Sequence, residues 1–326
     1  MNNHSTLLTI AVPTYNRADC LDDCLAHIVE QTETHTGLVE LLISDNCSTD
    51  STEAIVKNWV SRGLKINYIR NRENIGPDDN FLQCFNKASG KYVWILGDDD
   101  LVLDDALDAI LKILKEDDYG LLFLNSYGFI EDHNAEKPAG SASGHEVYDE
   151  LSGFLGRVGY SLTFISSSIV NRELGAREMC LDGFRSTNLI QLAWVFSALF
   201  NSRRNAFLKS YAVAARACAS GGYKLCEVFG QNFQRVFDIY IRRGVPAEYF
   251  EIIKRKMLMK FFPANIIRAR NNILATKQED YFKALYPIYG GYICFWLFTV
   301  PAIILPARLA LLVLKAAEAV RKRLPD

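Results

Sequence analysis

The most chemically informative stretch of the chain is the run Gly97-Asp98-Asp99-Asp100. It follows residues 92–96, a short apolar run rich in aromatic and β-branched residues that predicts a buried strand. The three carboxylates would then lie at the C-terminal end of that strand, where open α/β sheets bind their ligands. Adjacent like charges repel unless a cation neutralises them, and Mg²⁺ and Mn²⁺ prefer oxygen ligands and bridge phosphates. The run therefore indicates a site for a metal-bound diphosphate, and the alternative is an acidic turn that only caps the next helix.

The elements that must position these carboxylates alternate in type over residues 7–126. Short apolar runs occur at residues 7–12, 39–44, 66–70, 92–96 and 121–125, and the segments between them carry apolar residues at helical spacing. This order predicts an α/β fold with a doubly wound, mostly parallel sheet. Residues 162–170 predict a further strand and residues 188–200 a helix. The polar, Gly/Ser-rich residues 131–148 predict a loop.

Composition narrows the class of protein. The chain has 326 residues, 49% hydrophobic and 23% charged, which is typical of a globular protein with a large core. Its net charge of −2 provides no basic field, so nucleic acid is not expected as a partner. The eight cysteines form no CxxC pair, which favours a reducing cytosol, and the N-terminal residues lack the features of a signal peptide.

Four polar segments directly follow the predicted strands, and in a parallel sheet they share one edge. They are residues 13–17, 45–50, 71–76 and 97–100. Asp45 is placed to accept a hydrogen bond from a ribose hydroxyl or a base N–H, Tyr15 could stack on a base, and Arg17 can neutralise phosphate. The first strand is not followed by Gly-x-Gly-x-x-Gly, and the chain has no P-loop motif, which disfavours both of those nucleotide sites. The remaining interpretation is a nucleotide held by a metal and by side chains.

The same segments resemble a known family. Residues 9–17, residues 41–50, Asn74-Ile75-Gly76 and residues 94–100 are similar, in this order, to the motifs of family 2 glycosyltransferases with the GT-A fold. In detail, the chain resembles bacterial O-antigen and capsule transferases of the abequosyltransferase-like type. The resemblance implies a nucleotide-diphosphate-sugar donor, a divalent Mn²⁺ or Mg²⁺ ion, and transfer to an acceptor hydroxyl with inversion. The residues expected to bind the donor are Pro13, Thr14, Tyr15, Arg17, Asp45, Asn46, Asn74, Gly76 and Asp98.

The aspartate run departs from the family pattern, which reads Asp-x-Asp-Asp. Alignment on that pattern places Gly97 where the first Asp is expected and makes Asp99 the expected metal ligand. Asp98 could substitute for the missing carboxylate from the next position. Asp100 could contact the acceptor, cap the following helix or act as the base.

Inversion requires a base that deprotonates the acceptor hydroxyl. The resemblance places the base just before a helix, and the matching register here falls on Thr187-Asn188, neither of which can act as a base. Asp182 is the nearest carboxylate and the predicted base, with Glu178 and then Asp100 as alternatives. A purely structural role for Asp182 in an Asp-Gly turn stays open.

The C-terminal segment differs in character, because residues 284–307 contain no charge. The stretch could span a bilayer by length, but Pro287, Pro301 and Pro306 divide it into short helices. Basic residues follow it: Arg308, Lys315, Arg321, Lys322 and Arg323. We therefore expect a helical region over residues 221–326 whose segment 284–314 lies on an anionic membrane surface. The alternative is a buried pair of C-terminal helices.

Together these features predict a glycosyltransferase domain over residues 1–220, with a nucleotide-sugar half at 7–126 and an acceptor half at 127–220. The predicted function is transfer of a hexose or deoxyhexose to a lipid-linked, polyprenyl-type glycan acceptor in surface polysaccharide synthesis. The expected location is the cytoplasmic face of the bacterial inner membrane. Two alternatives remain: a nucleotidyl- or phosphosugar transferase, and a catalytically idle nucleotide-sugar-binding protein of the same fold.

Overall fold

The computed structural model describes residues 6–32, 35, 37–140, 142–217, 222–274 and 276–321. The chain forms two compact units, the first made of Met1–Phe154 with Ser161–Cys218 and the second of Leu155–Tyr160 with Ala219–Asp326. The predicted division between residues 1–220 and 221–326 stays a prediction, because its boundary falls at residues outside the described ranges.

One sheet organises the first unit. The strands that the description covers are β1 (Leu8–Thr14), β2 (Val39–Asp45), β3 (Ile66–Arg70), β4 (Tyr92–Ile95), β5 (Asp100–Val102), β6 (Leu121–Phe129), β7 (His145–Tyr148), β8 (Ser168–Asn171) and β9 (Asn205–Arg216). Their order is β3-β2-β1-β4-β8-β6-β9-β5, and β7 also pairs with β9. Strands β1 to β4 run parallel, β8 is antiparallel to both of its neighbours, and β6 pairs with β9 in parallel. The predicted α/β fold with a mostly parallel sheet is confirmed.

Helices cover this sheet. They are α1 (Ala18–Thr32), α2 (Thr52–Ser61), α3 (Pro77–Lys87), α4 (Ala106–Glu116), α6 (Arg172–Arg177) and α7 (Leu192–Phe200), and α5 (Leu151–Val158) belongs in part to each unit. Helices α1 and α4 bury the faces that their apolar spacing predicts. Helix α4 buries Leu107, Ile110, Leu111 and Leu114 at i, i+3, i+4 and i+7. Strand β1 is buried along its whole length, as expected of a central parallel strand.

Three local predictions were wrong. Residues 145–148 form strand β7 rather than a loop, because β9 offers them a free edge at residues 205–208. The strand predicted over residues 162–170 begins only at Ser168. The residues before it fall mostly in two short 3-10 turns, Gly159–Thr163 and Ile165–Ser167. Asp100 does not cap α4, since it lies in β5 and pairs with Ala215, while Asp105 occupies the N-cap position.

The second unit is helical. Its helices are α8 (Phe233–Arg242), α9 (Ala247–Lys256), α10 (Phe262–Arg270), α11 (Tyr281–Tyr289), α12 (Val300–Ile304) and α13 (Ala307–Arg321). Three π-helical segments precede α8, α10 and α12: Glu227–Asn232, Met257–Phe261 and Phe295–Thr299. Within the described ranges, none of the helices combines the length and the apolarity that crossing a membrane requires.

The C-terminal segment is partly core and partly exposed. Leu285, Tyr289 and Phe295 are fully buried, which agrees in part with the buried-helix alternative. The outer side is different, since nine of the fifteen large apolar side chains exposed in the described residues lie between residues 286 and 313. We call this set the C-terminal apolar surface; it consists of Tyr286, Ile293, Trp296, Leu297, Ile304, Leu309, Leu311, Leu312 and Val313. Arg308 and Lys315 are exposed beside it, whereas the side chain of Arg321 and all of Lys322 and Arg323 lie outside the described residues.

Candidate active site

The ends of neighbouring parallel strands join into one polar edge, which we call the carboxyl edge. The backbone N–H of Asn46 after β2 donates to the carbonyl of Thr14 at the end of β1 (2.9 Å). Thr14 Oγ1 in turn donates to Asp98 Oδ2 after β4 (2.8 Å), and the N–H of Asn71 after β3 donates to the carbonyl of Asp45 (2.8 Å). The four polar segments that the sequence analysis grouped are thus brought together.

Arg17 lies between two carboxylates of the aspartate run. Its Nη1 atom is 2.8 Å from Asp98 Oδ1 and 2.9 Å from Asp99 Oδ2. The Asp98 side chain is only 6% exposed and the Asp99 side chain 18%. Burial raises the pKa of Asp98 to about 6, although Arg17 and Thr14 oppose that shift. Burial lowers the pKa of Arg17, but Asp98 and Asp99 outweigh it and hold the pKa above its ordinary value.

Asp100 points into the protein. It is 4% exposed, and its Oδ2 accepts a hydrogen bond from Ser166 Oγ (2.5 Å), which itself accepts the N–H of Gly97 (2.9 Å). Burial, and after it the charge of Asp99, raises the pKa of Asp100 to about 7. A Cβ atom on residue 97 would lie 2.9 Å from Asp100 Oδ2, so glycine leaves the room that the inward carboxyl needs. The departure from the family pattern at Gly97 therefore has a packing reason.

Asp45 is fully buried at the end of β2. Its Oδ1 accepts the N–H of Ser48 (2.8 Å), and its Oδ2 accepts the hydroxyl of Tyr68 (2.6 Å) and lies 3.4 Å from Arg70 Nε. Burial and this contact raise the pKa of Tyr68. Asp45 thus fixes the turn after β2 as well as the end of β3. The sequence analysis missed Tyr68 and Arg70; the only signal was their spacing, which places both on one face of β3.

An asparagine network joins the ends of β2 and β3. Asn46 Nδ2 donates to Asn74 Oδ1 (2.8 Å) and to the carbonyl of Gly76 (3.2 Å), while Asn46 Oδ1 accepts the N–H of Ile75 (2.9 Å). Gly76 has φ +85°, a conformation that favours glycine, directly before α3. The predicted donor residues Asn46, Asn74 and Gly76 therefore form one connected group.

The segment after β1 contributes unequally to the edge. Pro13 is buried within β1, so its side chain presents no surface there. Tyr15 is 42% exposed and free to stack on a flat ligand. Asn16 adopts φ 52°, and its Oδ1 accepts the N–H of Thr49 (2.7 Å). The turn before Arg17 is therefore held to the loop after β2.

The segment with the predicted base reaches the carboxyl edge through α3. The N–H of Ser186 donates to Asp78 Oδ2 (2.7 Å), and Arg185 pairs with Asp79 (3.1 Å), both at the start of α3. Burial raises the pKa of Asp78. The sequence analysis missed Asp78, which follows Gly76 by two residues.

The predicted bases themselves are exposed. Asp182 and Glu178 both face solvent between α6 and α7, in contrast to the buried Asp100. Thr187 Oγ1 donates to the carbonyl of Phe184 (2.5 Å), a local bond that stabilises the turn. Asn188 is exposed with φ 58°. Of the three candidate carboxylates, Asp182 and Glu178 are open to an acceptor hydroxyl.

One pair of carboxylates at the carboxyl edge, Asp98 and Asp99, suits a divalent cation. No group of three acidic, histidine or cysteine side chains converges on a common point in the part of the chain that the structure describes. The Nη1 atom of Arg17 nevertheless shows that a positive charge fits between Asp98 and Asp99. Mg²⁺ in proteins commonly takes one or two carboxylates and completes its shell with water and substrate phosphates. Asp99, the more exposed of the pair, suits that role.

Comparison with known proteins now decides the class. Residues 9–169 match the family described as Glycosyl transferase family 2. The chain carries a family 2 glycosyltransferase domain. The matched residues include all four segments of the carboxyl edge, so the predicted resemblance is confirmed.

Two curated relatives of this domain are bacterial sugar transferases by name. The chain is 42% identical over 107 residues to abequosyltransferase RfbV of Salmonella typhimurium, which is 32% of each protein. It is 32% identical over 110 residues to the GalNAc(5)-diNAcBac-PP-undecaprenol beta-1,3-glucosyltransferase of Campylobacter jejuni, covering 33% of this chain and 35% of the relative. The chain thus covers about a third of the length of each of these two relatives.

Solved structures share the fold across nearly the whole chain. S. aureus TarS 1–349, solved in complex with UDP-GlcNAc, has a TM-score of 0.62 at 19% identity and matches 96% of this chain and 87% of its own. Mannosyltransferase PcManGT from Pyrobaculum calidifontis, in complex with GDP-Man and Mn²⁺, has a TM-score of 0.55 at 18% identity and matches 96% and 86%. The predicted GT-A fold is confirmed.

Proposed function

We propose that this protein transfers a sugar from a nucleotide-diphosphate sugar to a hydroxyl group of a glycan acceptor, with inversion at the sugar. The observation that carries the proposal is the carboxyl edge of the family 2 domain, where Arg17, Asp98 and Asp99 adjoin the group formed by Asn46 and Asn74. A cationic side chain, carboxylates and planar amides suit a diphosphate, its counterion and a nucleoside, respectively.

The parts of the donor are assigned to parts of this edge. The nucleoside lies near Asp45, Asn46 and Asn74, with Tyr15 stacked on its base, and the diphosphate lies near Arg17. Asp99 holds the divalent cation, which neutralises the leaving diphosphate when it is bound. Support comes from the structural neighbours, which were solved with UDP-GlcNAc and with GDP-Man and Mn²⁺.

Asp182 is the proposed base. A carboxylate that accepts the acceptor proton must be reachable by the acceptor, and Asp182 is exposed whereas Asp100 is 4% exposed. Glu178 is the second candidate by the same criterion. Asp100 is better suited to holding the Gly97 turn, since its carboxyl accepts from Ser166.

The proposed acceptor is a lipid-linked glycan of the polyprenyl type on the cytoplasmic face of the bacterial inner membrane. The name of the Campylobacter relative contains such an acceptor, and the Salmonella relative is an abequosyltransferase. The C-terminal apolar surface supports a membrane location, because its nine exposed apolar side chains fall within residues 286–313 and large exposed apolar patches mark contact with a membrane or a partner. Exposed Arg308 and Lys315 beside it suit anionic headgroups.

A panel of nucleotide sugars tests the reaction. Purified protein is incubated with UDP-, GDP- and CDP-linked sugars, with and without Mn²⁺, and release of the nucleoside diphosphate is measured with and without polyprenyl-diphosphate glycans. We expect one donor to be consumed, and consumption to increase with the correct acceptor. Release of a nucleoside monophosphate would instead indicate phosphosugar transfer. Donor binding without turnover under all conditions would indicate an idle binding protein.

Vesicle binding tests the membrane location. We expect the full chain to sediment with vesicles containing anionic lipid and to bind less as salt is raised. The variant L312E should bind less, because it charges an exposed position of the C-terminal apolar surface. The matched control is I130E, which adds the same charge at an equally exposed side chain of the first unit (66%, against 63% for Leu312). Equal binding of all three proteins would refute the membrane location.

A further inference from the structure

One nitrogen atom of Arg17 occupies the position between Asp98 and Asp99. Nη1 approaches carboxylate oxygens of both residues, at 2.8 and 2.9 Å. Nη1 is thus shared by two neighbouring carboxylates, which is the arrangement of a bridging cation.

The two carboxylates hold Arg17 unequally. Asp98 is 6% exposed and its second oxygen accepts from Thr14 Oγ1 (2.8 Å), so its position is fixed by the end of β1. Asp99 is 18% exposed, and Arg17 itself remains 30% exposed. The contact with Asp99 is therefore the one that can be released toward solvent.

A divalent cation at Asp99 and the guanidinium at its present position exclude each other. Two positive charges a few ångströms apart repel, and in a partly buried site that repulsion is only weakly screened. The guanidinium already lies 2.9 Å from Asp99 Oδ2. A cation can therefore take that oxygen only after Arg17 has left it.

We propose that Arg17 is an internal competitor of the divalent cation for Asp99, and that the nucleotide diphosphate relieves this competition. This inference rests on the proposed function, since it assigns a role to Arg17 in loading the donor. A diphosphate supplies several negative oxygens to which a guanidinium can turn while keeping Asp98, because its five N–H donors point in different directions. The protein alone then binds the cation weakly, and cation and diphosphate strengthen each other's binding by the same factor.

Binding of Mn²⁺ to the full chain, measured without nucleotide by the electron paramagnetic resonance signal of free Mn²⁺, tests the competition. R17Q should bind Mn²⁺ at least about tenfold more tightly than the wild type, equivalent to about 1.4 kcal/mol. R17K should lie between the two, because lysine keeps the charge but not the forked geometry. D99N should lose the site, and R17Q/D99N should show no gain over D99N.

The matched control is R70Q. Arg70 lies at the same edge, and its removal changes the net charge equally, but its nearest carboxylate is Asp45 at 3.4 Å. R70Q should leave the Mn²⁺ affinity within about twofold of the wild type, which separates a local competition from a general charge effect. A gain in R70Q equal to that in R17Q would overturn the proposal.

The second measurement repeats the titration with UDP and with GDP as probes. Nucleotide should increase the Mn²⁺ affinity of the wild type more than that of R17Q, since the variant has no competitor to displace. Equal increases, or an R17Q affinity no tighter than that of the wild type, would show that Arg17 does not compete. Circular dichroism and thermal unfolding confirm that each variant is folded, and R17K carries the test if R17Q is not.

The failure of the competition and the failure of the proposed reaction can be told apart. If R17Q tightens Mn²⁺ binding as expected but no donor in the panel is consumed, the competition stands and the transfer function fails. If a donor is consumed and R17Q leaves the Mn²⁺ affinity unchanged, the function stands and the competition fails.

Discussion

The two edges of the sheet in the first unit differ in the pKa shifts of their carboxyl groups and in the backbone conformation of their residues. At the carboxyl edge, burial raises the pKa values of Asp98 and Asp100 to about 6 and about 7, and the non-glycine residues Asn16 and Cys47 adopt φ values of 52° and 66°. At the opposite, amino edge, the pKa of Glu40 is lowered, because hydrogen bonds to its carboxylate outweigh its burial. The carboxyl edge thus disfavours the charged form of two buried carboxyl groups, whereas the amino edge favours the charged form of Glu40.

This difference is what is expected when only one edge does chemistry. Perturbed carboxylates and left-handed non-glycine residues persist where function requires them, and the remaining fold must compensate for their cost. The amino edge supplies such compensation at Glu40, whose carboxylate accepts hydrogen bonds from Thr9, Ser89 and Asn67. Substitutions at the carboxyl edge should therefore reduce activity more than stability, and those at the amino edge should do the reverse.

The largest effect on activity is expected at Asp99. D99N removes the carboxylate assigned to the cation, while Arg17 keeps its contact with Asp98, so the fold should be retained. We expect transfer to fall by about 10³-fold, the upper range for losing one electrostatic contact to the leaving group. Steady-state transfer assays at saturating Mn²⁺ measure this, with thermal unfolding as the control. Near-normal transfer by folded D99N would remove Asp99 from the cation site.

The next largest effect is expected at Asp182. D182N keeps the size of the side chain and removes its basicity, so kcat should fall by about 10²-fold while donor binding persists. E178Q is the matched control, since it changes an exposed carboxyl of the same segment in the same way. If E178Q loses transfer and D182N does not, Glu178 takes the role of base. If neither loses transfer, the base lies outside this segment.

The contrast between these residues also shows which parts of the site a sequence can reveal. The donor side was predictable because apolar runs and polar segments alternate, and the carboxyl ends of parallel strands must meet. The inward direction of the Asp100 side chain was not predictable. It depends on Ser166, which is 66 residues away and lies in a stretch predicted as a strand. Tyr68 and Asp78 were missed for the same reason, because their partners Asp45 and Ser186 come from other parts of the chain.

Secondary structure was likewise predictable only where the signal lies within the element itself. Helix α4 was predictable because its apolar residues recur at helical spacing over three turns. Strands β5 and β7 were not predictable from the sequence. Each has only three or four residues, and each forms because β9 offers a free edge. Long periodic segments carry their own signal, whereas short edge strands acquire structure from tertiary pairing.

A smaller effect, confined to the donor, is expected at Asp45. D45N weakens the bonds to Tyr68 and Arg70 at the end of β3, where the nucleoside is assigned. Contacts to the nucleoside bind the ground state and the transition state alike, so displacing the end of β3 should raise the donor KM about tenfold with little change in kcat. Full kinetics with varied donor check this. An equal loss in kcat and kcat/KM would give Asp45 a part in the chemical step.

The smallest effect is expected at Glu40 on the amino edge, and it should appear in stability alone. The Glu40 carboxylate accepts hydrogen bonds from Thr9 Oγ1 (2.7 Å), from the N–H and hydroxyl of Ser89 (2.9 and 2.7 Å) and from Asn67 Nδ2 (3.2 Å). E40Q keeps the size but loses the charge and one accepting atom. We expect it to lower the free energy of unfolding at pH 7 by about 1–2 kcal/mol without changing transfer.

The pH dependence of that loss identifies its cause. Because folding lowers the pKa of Glu40, its stabilisation is complete above the unfolded pKa of about 4.3 and is lost as the pH falls through the lower folded value. The difference between wild type and E40Q in urea unfolding should therefore shrink as the pH falls from 7 to about 3. The control E53Q changes a glutamate whose side chain is 43% exposed and pairs with the exposed cations of Lys57 and Arg70, and it should stay within about 0.5 kcal/mol of the wild type throughout. A difference for E40Q that is constant with pH would attribute the loss to packing rather than to the charge, and a loss of transfer would contradict the division between the two edges.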